Sequence, residues 1–405
     1  MKIFHLSDLH IGARLYNRDL SEDHEYIFDE IIEKARKEKP DVMVIAGDIY
    51  DKAIPGAEAV GVFNRFISKM KKELPDMNVM MLSGNHDSAE RINLFRDVLS
   101  SENIHMIGKA PSSPEERIEK VTVEDEFGPV NFYLLPFVKP SMVRPLAQKE
   151  FELKKKAGLA GEDEKAPAIS SYQEAVEYLL SRETVNPEER NILVSHQFFL
   201  PSSTDPDKIG RTDSEYRTIG NIDRIDTSLI ENFDYSALGH IHRPMKCGSE
   251  KIRYCGSPIP LSLSESGQKK NILMLNLNEK GNQSVSEIEL TPKRQVLKLE
   301  DLAENLIHNY PEHRDDYVSL VITDPEELDM SDAVERLRAI YPNILDIARK
   351  PTGQKHEFTE GIRSDQKLSP MELCLEFAGV RDVHFDEADL DLLQDVINEA
   401  WEDGE

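Results

Sequence analysis

Short apolar runs alternate with stretches of helical periodicity in the first quarter of the chain. Three runs are nearly continuous in apolar residues, as in strands covered on both faces: residues 3–7, 41–46 and 79–82. Three stretches repeat their apolar residues at helical spacing: residues 23–37, 57–72 and 89–101. This alternation predicts a layered α/β domain, and such sheets carry their chemistry in loops at the strand ends.

The pattern changes in the middle of the chain. Residues 144–169 are polar and small, and we interpret them as a mobile surface insertion. After this segment the pattern predicts one helix and four strands, the last two antiparallel: helix 171–180 and strands 191–195, 235–238, 252–254 and 271–277.

A domain boundary is predicted near Leu290, where a Thr-Pro pair interrupts the pattern. A small α+β module follows, with strands at 296–299, 317–323 and 344–348 and helices at 301–309 and 331–341. A polar linker leads from it to a tail with two predicted helices, at 369–378 and 387–401. We therefore divide the chain into residues 1–290, 291–350 and 351–405.

Composition indicates a globular protein with a strongly acidic balance. The 405 residues are 39% hydrophobic and 31% charged, and no apolar stretch is long enough to span a bilayer. Cys247, Cys255 and Cys374 form no CxxC pair, which favours reduced thiols in the cytosol, although Cys247 and Cys255 could approach each other across a hairpin. The net charge of −27 argues against unaided, tight binding of duplex DNA. Residues 363–405 account for part of it, with 13 acidic and 3 basic side chains.

Five polar clusters follow the apolar runs, and together they form a possible metal-ligand set. They are Asp8 with His10, Asp48, Asn85 with His86, His196, and His240 with His242. Oxygen and imidazole ligands without thiolate suit Mn²⁺, Mg²⁺, Fe²⁺ or Zn²⁺. Two such ions about 3.5–4 Å apart can activate water and clamp a phosphoryl group, and a carboxylate must bridge them to offset their repulsion. The set therefore predicts a phosphoesterase.

Each cluster alone has a structural explanation. A single histidine after a strand usually makes a hydrogen bond in the core or at the surface, and Gly47-Asp48 alone is typical of a turn. Seven histidines have no neighbouring cluster and are assigned structural roles: His5, His24, His105, His308, His313, His356 and His384. The ordered coincidence of all five clusters favours the metal centre.

The motifs resemble those of the calcineurin-like metallophosphoesterase superfamily. Four segments narrow the resemblance to the family of bacterial SbcD nuclease subunits: SDLHIG at 7–12, GDIYD at 47–51, SGNHD at 83–87 and YCGSP at 254–258. The resemblance implies an α/β fold of four layers, in which two β-sheets are flanked by helices. It also implies a small α+β capping domain at 291–350 and a helical tail at 351–405.

The resemblance also implies a role for each motif residue. Asp8, His10 and His242 would hold one ion; Asn85, His196 and His240 would hold the other; Asp48 would bridge them. His86 would contact the scissile phosphate and orient or protonate the leaving group. Asp51 lies where related enzymes place a partner for this histidine, and some nucleases of this type have histidine there instead. Six basic residues near the motifs are candidates for phosphate contacts: Arg14, Lys52, Arg91, Arg211, Arg217 and Arg243.

The implied activity is hydrolysis of DNA with two divalent ions, Mn²⁺ in the first instance and Mg²⁺ as the alternative. It comprises 3′-to-5′ exonuclease action on double-strand ends and endonuclease action on single strands and hairpins, in DNA repair, replication and recombination. ATP would enter through an SbcC-type coiled-coil ATPase, which the acidic tail would bind. The implied assembly is a homodimer within a heterotetramer, located in the cytoplasm at the nucleoid and not in a membrane.

Two other functions are compatible with parts of the sequence. One is a general phosphoesterase acting on small nucleotides or phosphoproteins; the Arg-Gly that often follows GDxxD in protein phosphatases is replaced here by Lys52-Ala53. The other is a DNA-tethering subunit with an inactive site, against which the complete ligand set argues.

Overall fold

The computed structural model describes residues 1–94, 96–161, 164–206, 209, 211–213, 215, 223–325 and 330–350. Its first sheet has the strand order β14-β13-β1-β4-β5-β6. These strands are β1 (Lys2–Leu6), β4 (Val42–Ile45), β5 (Asn78–Leu82), β6 (Ile104–Ile107), β13 (Lys270–Leu277) and β14 (Gln283–Leu290). Strands β1, β4, β5 and β6 are parallel to one another, and β13 and β14 extend the sheet as antiparallel strands.

The second sheet also has six strands, in the order β11-β12-β10-β9-β8-β7. They are β7 (Glu119–Asp125), β8 (Gly128–Leu135), β9 (Arg190–Ser195), β10 (Tyr235–Leu238), β11 (Met245–Cys247) and β12 (Ser249–Tyr254). Strands β8, β9, β10 and β12 are parallel, while β7 and β11 pair antiparallel at the two edges. Both sheets thus have a centre of parallel strands. Because these strands run in one direction, the loops that follow them lie together at one edge of each sheet.

Alternating side chains of the central strands explain how the two sheets stack. In β4, Val42 and Val44 enter an apolar cluster shared with β9 of the second sheet, whereas Met43 and Ile45 enter a cluster shared with the helices. Helices α1 (Ser21–Glu38) and α2 (Ala57–Glu73) cover the first sheet, and α5 (Pro140–Lys156) and α6 (Tyr172–Ser181) cover the second. The result is the four-layer α/β sandwich expected from the resemblance.

Smaller elements complete the described chain. A short hairpin of β2 (Arg14–Leu15) and β3 (Arg18–Asp19) follows β1, and α3 (Ala89–Ile92) and α4 (Arg96–Ser100) follow β5. A third, parallel sheet consists of β15 (Val296–Asp301), β16 (Tyr317–Ile322) and β17 (Ile344–Arg349), with α7 (Ala303–His308) and α8 (Ser331–Ile340) packed on it. The predicted strands and helices of the small module are confirmed. The predicted tail helices lie outside the described residues.

Three expectations about local structure need correction. The first half of the supposed insertion at 144–169 belongs to the helix α5, because Val143, Leu146 and Ala147 form a buried face that its many lysines obscure in the composition. The single helix predicted at 89–101 is two short ones, α3 and α4. The strands predicted at 252–254 and 271–277 do have antiparallel neighbours, but they lie in different sheets, and β12 also pairs parallel with β10.

Two of the histidines assigned structural roles have ordinary partners in the core, whereas His356, His384 and Cys374 lie outside the described residues. His5 contacts the Tyr235 hydroxyl and the Leu238 carbonyl, and His24 contacts the Leu9 and Leu20 carbonyls. Cys247 and Cys255 are buried free thiols and form no disulfide with each other.

Candidate metal centre

The polar clusters meet where the parallel strands of both sheets end. Loops after β1, β4 and β5 supply Asp8 with His10, Asp48, and Asn85 with His86. His196 follows β9 directly, and His240 and His242 follow β10. Because the two sheets are stacked with these ends together, residues from distant parts of the sequence come into contact.

The loops of the first sheet are held by hydrogen bonds between their main chains. The Asp8 amide donates to the Gly47 carbonyl at 3.0 Å, and the His10 amide donates to the Asp48 carbonyl at 3.0 Å. Asp8, His10 and Asp48 all have positive φ angles, at 52°, 45° and 49°. Such angles are unfavourable for residues other than glycine. They are retained where the surrounding structure imposes them, as at functional sites.

Gly84 allows the loop after β5 to approach Asp48. A Cβ atom at Gly84 would lie 2.1 Å from Asp48 Oδ1, which no side-chain contact permits. The close approach lets the His86 amide donate to the same oxygen at 2.9 Å. The bridging candidate is therefore fixed in orientation by a neighbouring loop.

One group of ligand atoms consists of Asp8, His10 and His242, whose atoms lie within 4.8 Å of one another. His10 Nε2 is 3.1 Å from His242 Nε2, and Asp8 Oδ1 is 3.8 Å from the same atom of His242. All three side chains are almost fully buried. Two ring nitrogens this close are at the distance of a hydrogen bond between them and also at the distance of two ligands of one cation.

A second group surrounds the Asn85 side-chain oxygen. Asn85 Oδ1 is 2.9 Å from His240 Nδ1 and 3.1 Å from His196 Nε2, and that nitrogen is 3.2 Å from Asp48 Oδ2. Ligands at right angles around an ion with bonds of about 2.1 Å are about 3.0 Å apart. The donor set and its spacing therefore fit a divalent metal ion.

Asp48 lies between the two groups. Its Oδ2 atom is 3.2 Å from His196 Nε2 and 3.5 Å from His10 Nε2, so one carboxylate oxygen faces a histidine of each group. Asp8 is also near both, but its Oδ1 is 4.0 Å from His196 Nε2. Asp48 is thus the carboxylate closest to histidines of both groups.

Three of the four histidines have an acceptor facing the ring nitrogen that points away from the centre: the Ala46 carbonyl at 2.7 Å for His196, and, at longer range, Asp51 at 3.7 Å for His10 and Glu265 at 3.7 Å for His242. The outer nitrogen of His240 differs, because the Arg211 guanidinium, a donor, lies 3.1 Å from it and Asp223 lies farther away at 3.8 Å. Such outer acceptors orient a metal-binding histidine and fix which nitrogen carries the proton.

Charges and burial shift the pKa values of several side chains at the centre. Burial raises the pKa of Asp48, but the charge and hydrogen bond of His196, followed by His10 and His86, outweigh burial and hold the pKa well below its ordinary value. Burial lowers the pKa of His196, yet Asp48 and then Asp8 outweigh it and raise the pKa to about 9. Burial, followed by the charges of His196 and Arg211, keeps the pKa of His240 well below its ordinary value, so this ring is neutral.

His86 and Asp51, the two predicted catalytic residues, lie at the open side of the centre and are both partly exposed. His86 Nδ1 is 2.9 Å from the main-chain carbonyl of Asp51, whereas the Asp51 carboxylate faces His10. Because a carbonyl only accepts, Nδ1 of His86 carries the hydrogen and Nε2 is left for other contacts. Asp51 thus meets His86 through its main chain, a contact that the sequence does not specify.

Several supporting residues were missed by the sequence analysis. The Asp87 carboxylate accepts hydrogen bonds from the amides of Ile49, Tyr50 and Gly84 at 2.9–3.0 Å, which ties two metal-binding loops together. Its position in the GNHD motif was a usable signal. Glu215 accepts a hydrogen bond from the His242 amide at 3.1 Å. Glu215 and Glu265, which both support His242, have no local signal in the sequence, because each is more than twenty residues from that histidine.

The basic candidates are distributed unevenly. Arg211 Nη2 is 3.1 Å from His240 Nε2, and its guanidinium lies over the Phe198 ring at 4.3 Å. Arg14, Lys52, Arg91 and Arg243 have exposed side chains, and Arg217 lies outside the described residues.

Comparisons with known proteins agree with this geometry. Residues 1–244 match the calcineurin-like phosphoesterase family, and residues 288–378 match a domain described as the type 5 capsule protein repressor C-terminal domain. The chain is 30% identical over 352 residues to the SbcD subunit of the nuclease SbcCD from Staphylococcus epidermidis, covering 85% of this chain and 84% of that protein. This chain belongs to the SbcD family of calcineurin-like phosphoesterases.

Solved structures resemble this SbcD-family chain only weakly. GAP50, the anchor in the inner membrane complex of Plasmodium, is 10% identical with a TM-score of 0.40, covering 87% of this chain and 98% of its own. A dimetal phosphatase from Danio rerio is 14% identical with a TM-score of 0.37, covering 72% and 98%. Similarities this weak say nothing about the site.

Among the described helices, none has both the length and the apolar character needed to cross a bilayer.

Proposed function

We propose that this protein hydrolyses phosphodiester bonds of DNA as the nuclease subunit of an SbcCD-like complex. The observation that carries the proposal is the convergence of seven ligand side chains, of whose four histidines three have an outer acceptor. The similarity to the SbcD subunit of a nuclease SbcCD supports DNA as the substrate.

In this proposal Asp8, His10 and His242 hold one divalent ion, Asn85, His196 and His240 hold the second, and Asp48 contacts both. When bound, the ions would lower the pKa of an attacking water and offset the charge that develops on the phosphate. Mn²⁺ is the proposed metal and Mg²⁺ the alternative, because the carboxylate and amide oxygens of the set suit both ions.

His86 would act on the leaving group from the open side of the centre. Its Nδ1 donates to the Asp51 carbonyl at 2.9 Å, which directs Nε2 toward the substrate. A protonated Nε2 can donate to the departing oxygen, and a hydrogen bond from it can orient the phosphate. Asp51 would assist by holding His86 with its carbonyl and His10 with its carboxylate.

The proposed reactions are ATP-dependent 3′-to-5′ exonuclease action on double-strand ends and endonuclease action on single strands and hairpins. ATP would be hydrolysed by an SbcC-type coiled-coil ATPase and not by this chain. That partner would also supply much of the grip on DNA, which accounts for a nuclease with a net charge of −27. In this proposal the protein would act at the nucleoid in the bacterial cytoplasm. It would take part in DNA repair, replication and recombination.

The proposed division of labour assigns residues 1–290 to catalysis, 291–350 to a capping domain and 351–405 to the partner. The assembly would be a homodimer within a heterotetramer. Deleting residues 363–405 should leave metal binding intact and abolish co-purification with the ATPase. A complex that persists without these residues would assign the tail another purpose.

The decisive experiment compares two substrates with the purified chain and Mn²⁺. We expect cleavage of a hairpin oligonucleotide and its loss in His86→Ala, with metal binding retained in that variant by calorimetry. Cleavage of a small ester such as bis-p-nitrophenyl phosphate without cleavage of DNA would instead support a general phosphoesterase. Unchanged hairpin cleavage in His86→Ala would remove this residue from the mechanism.

A further inference from the structure

A buried ion pair lies behind His242, on the side of its ring that faces away from the ligand atoms. Glu265 and Lys270 each have only 1% of their surface exposed, and Lys270 Nζ is 2.5 Å from Glu265 Oε2. Lys270 is the first residue of β13, and Glu265 ends a short turn of helix at 263–265. Buried charges are costly unless they are paired, so a pair at this depth calls for an explanation.

The pair is directed at the histidine by its hydrogen bonds. Glu265 Oε1 is 3.7 Å from His242 Nδ1, while the Nε2 atom of the same ring is 3.1 Å from His10 Nε2. The other oxygen of Glu265 receives Lys270 Nζ and the Ser257 hydroxyl. One carboxylate oxygen is therefore engaged by the lysine, and the other accepts from the Ser262 hydroxyl at 3.2 Å and also faces the ring.

Ser257 ties this arrangement to the metal-binding loops. Its hydroxyl contacts both Lys270 Nζ, at 2.9 Å, and Glu265 Oε2, at 3.2 Å, and its amide donates to the His242 carbonyl at 3.2 Å. The main chain of the histidine and the support of its ring thus belong to one hydrogen-bonded unit.

We propose that Glu265, oriented by Lys270, is a positioning residue that holds the His242 ring with Nε2 toward the ion shared with Asp8 and His10. The inference rests on the proposed two-ion function and deepens it by assigning an outer carboxylate to one of the two ion sites. An acceptor behind the ring fixes the proton on Nδ1 and leaves the lone pair of Nε2 for the metal.

Calorimetric titration of the metal-free protein with Mn²⁺ tests the proposal. We expect Glu265→Leu to weaken one of two binding events about 10- to 100-fold, as is usual when an outer acceptor of a ligand is lost, and to leave the other unchanged. Glu265→Gln keeps an acceptor oxygen and should recover most of the lost affinity.

A double variant separates positioning from stability. Glu265→Leu alone leaves Lys270 buried without its partner and should lower the thermal midpoint, whereas Glu265→Leu with Lys270→Met removes both charges and should restore much of it. The weakened Mn²⁺ site should persist in the double variant, because His242 still lacks its acceptor. Recovery of Mn²⁺ affinity together with stability would overturn the proposal.

Asp125→Asn is the matched control, since Asp125 pairs with the buried Arg190 at the start of β9. Strands rise about 3.3 Å per residue, so this pair lies about 20 Å from His196 at the other end of β9. Its loss should lower the thermal midpoint without changing either Mn²⁺ affinity. If the unaltered protein bound no Mn²⁺, the proposed function itself would fail; normal binding that Glu265→Leu does not affect would refute only the positioning role.

Discussion

The two sheets support their metal-binding residues in different ways. The first sheet supplies the oxygen ligands, and its loops are joined by main-chain hydrogen bonds such as that from the Asp8 amide to the Gly47 carbonyl. The second sheet supplies imidazoles, among them His242, whose outer nitrogen faces a carboxylate from another segment. The carboxylates of the first sheet thus lie in loops joined by main-chain hydrogen bonds, whereas His242 has a distant side chain behind its ring.

The difference follows from the chemistry of the ligands. A buried carboxylate must be neutralised or hydrogen-bonded wherever it lies, and closely packed loops offer amide donors for that purpose. An imidazole has two ring nitrogens and needs an acceptor to decide which one faces the ion. Changes in the first sheet should therefore affect both ions, and changes behind the second sheet one ion at a time.

The largest effect is expected from the residue that lies between the two ligand groups. Asp48→Ala should abolish binding of both ions and reduce cleavage by at least about a thousandfold, because Asp48 Oδ2 faces a histidine of each group. Asp8→Ala should be less severe. Calorimetry with Mn²⁺ measures both, and equal losses in the two variants would contradict the bridging role.

Gly84→Ala should have the next largest effect. The added Cβ would lie 2.1 Å from Asp48 Oδ1, so the loop after β5 must move, at a cost of about 1–3 kcal/mol in the free energy of unfolding. Both Mn²⁺ affinities should fall together. Gly56→Ala is the control, because no atom lies within 4 Å of the new Cβ. Selective loss of one ion would show that the first sheet does not act as a unit.

Asp87→Asn compares main-chain support with side-chain support directly. The carboxylate serves three amides, and an amide side chain turns a donor toward at least one of them, which should cost about 1–3 kcal/mol. Glu215→Gln disturbs one main-chain amide, that of His242, and two side-chain partners, Arg211 and Thr212, and we expect it to cost less. Urea unfolding measures both. A larger loss in Glu215→Gln would reverse the order predicted for the two sheets.

The smallest effect concerns acid stability at the end of β9 away from the centre. Hydrogen bonds from Arg190 lower the pKa of Asp125. A carboxyl with a lower pKa in the folded chain stabilises it above the unfolded value of about 4, and this contribution is lost as the pH falls through the lowered value. The stability difference between the unaltered protein and Asp125→Asn should therefore be constant near neutrality and shrink below about pH 4. A difference that persists at low pH would show that Asp125 acts by packing.

The sequence revealed the first sheet better than the second. The runs at β1, β4 and β5 are short and apolar, and each is followed at once by its polar motif, so element and candidate ligand are found together. Helix α5 was obscured because its solvent face carries most of its residues. In the edge strands β7 and β14, half-buried positions alternate with exposed ones and only a few side chains are apolar. Without their neighbours, these strands are therefore hard to recognise in the sequence.

Local sequence by itself determined the ligand types and their placement at strand ends, because both depend on residues a few positions apart. Only the tertiary structure decided what stands behind those ligands. Asp223, Glu265 and Lys270 reach the histidines through the packing of separate segments, and Asp51 meets His86 through a carbonyl that every residue possesses. Contacts of these kinds leave no pattern along the chain, since they depend on distances that exist only after the two sheets have stacked.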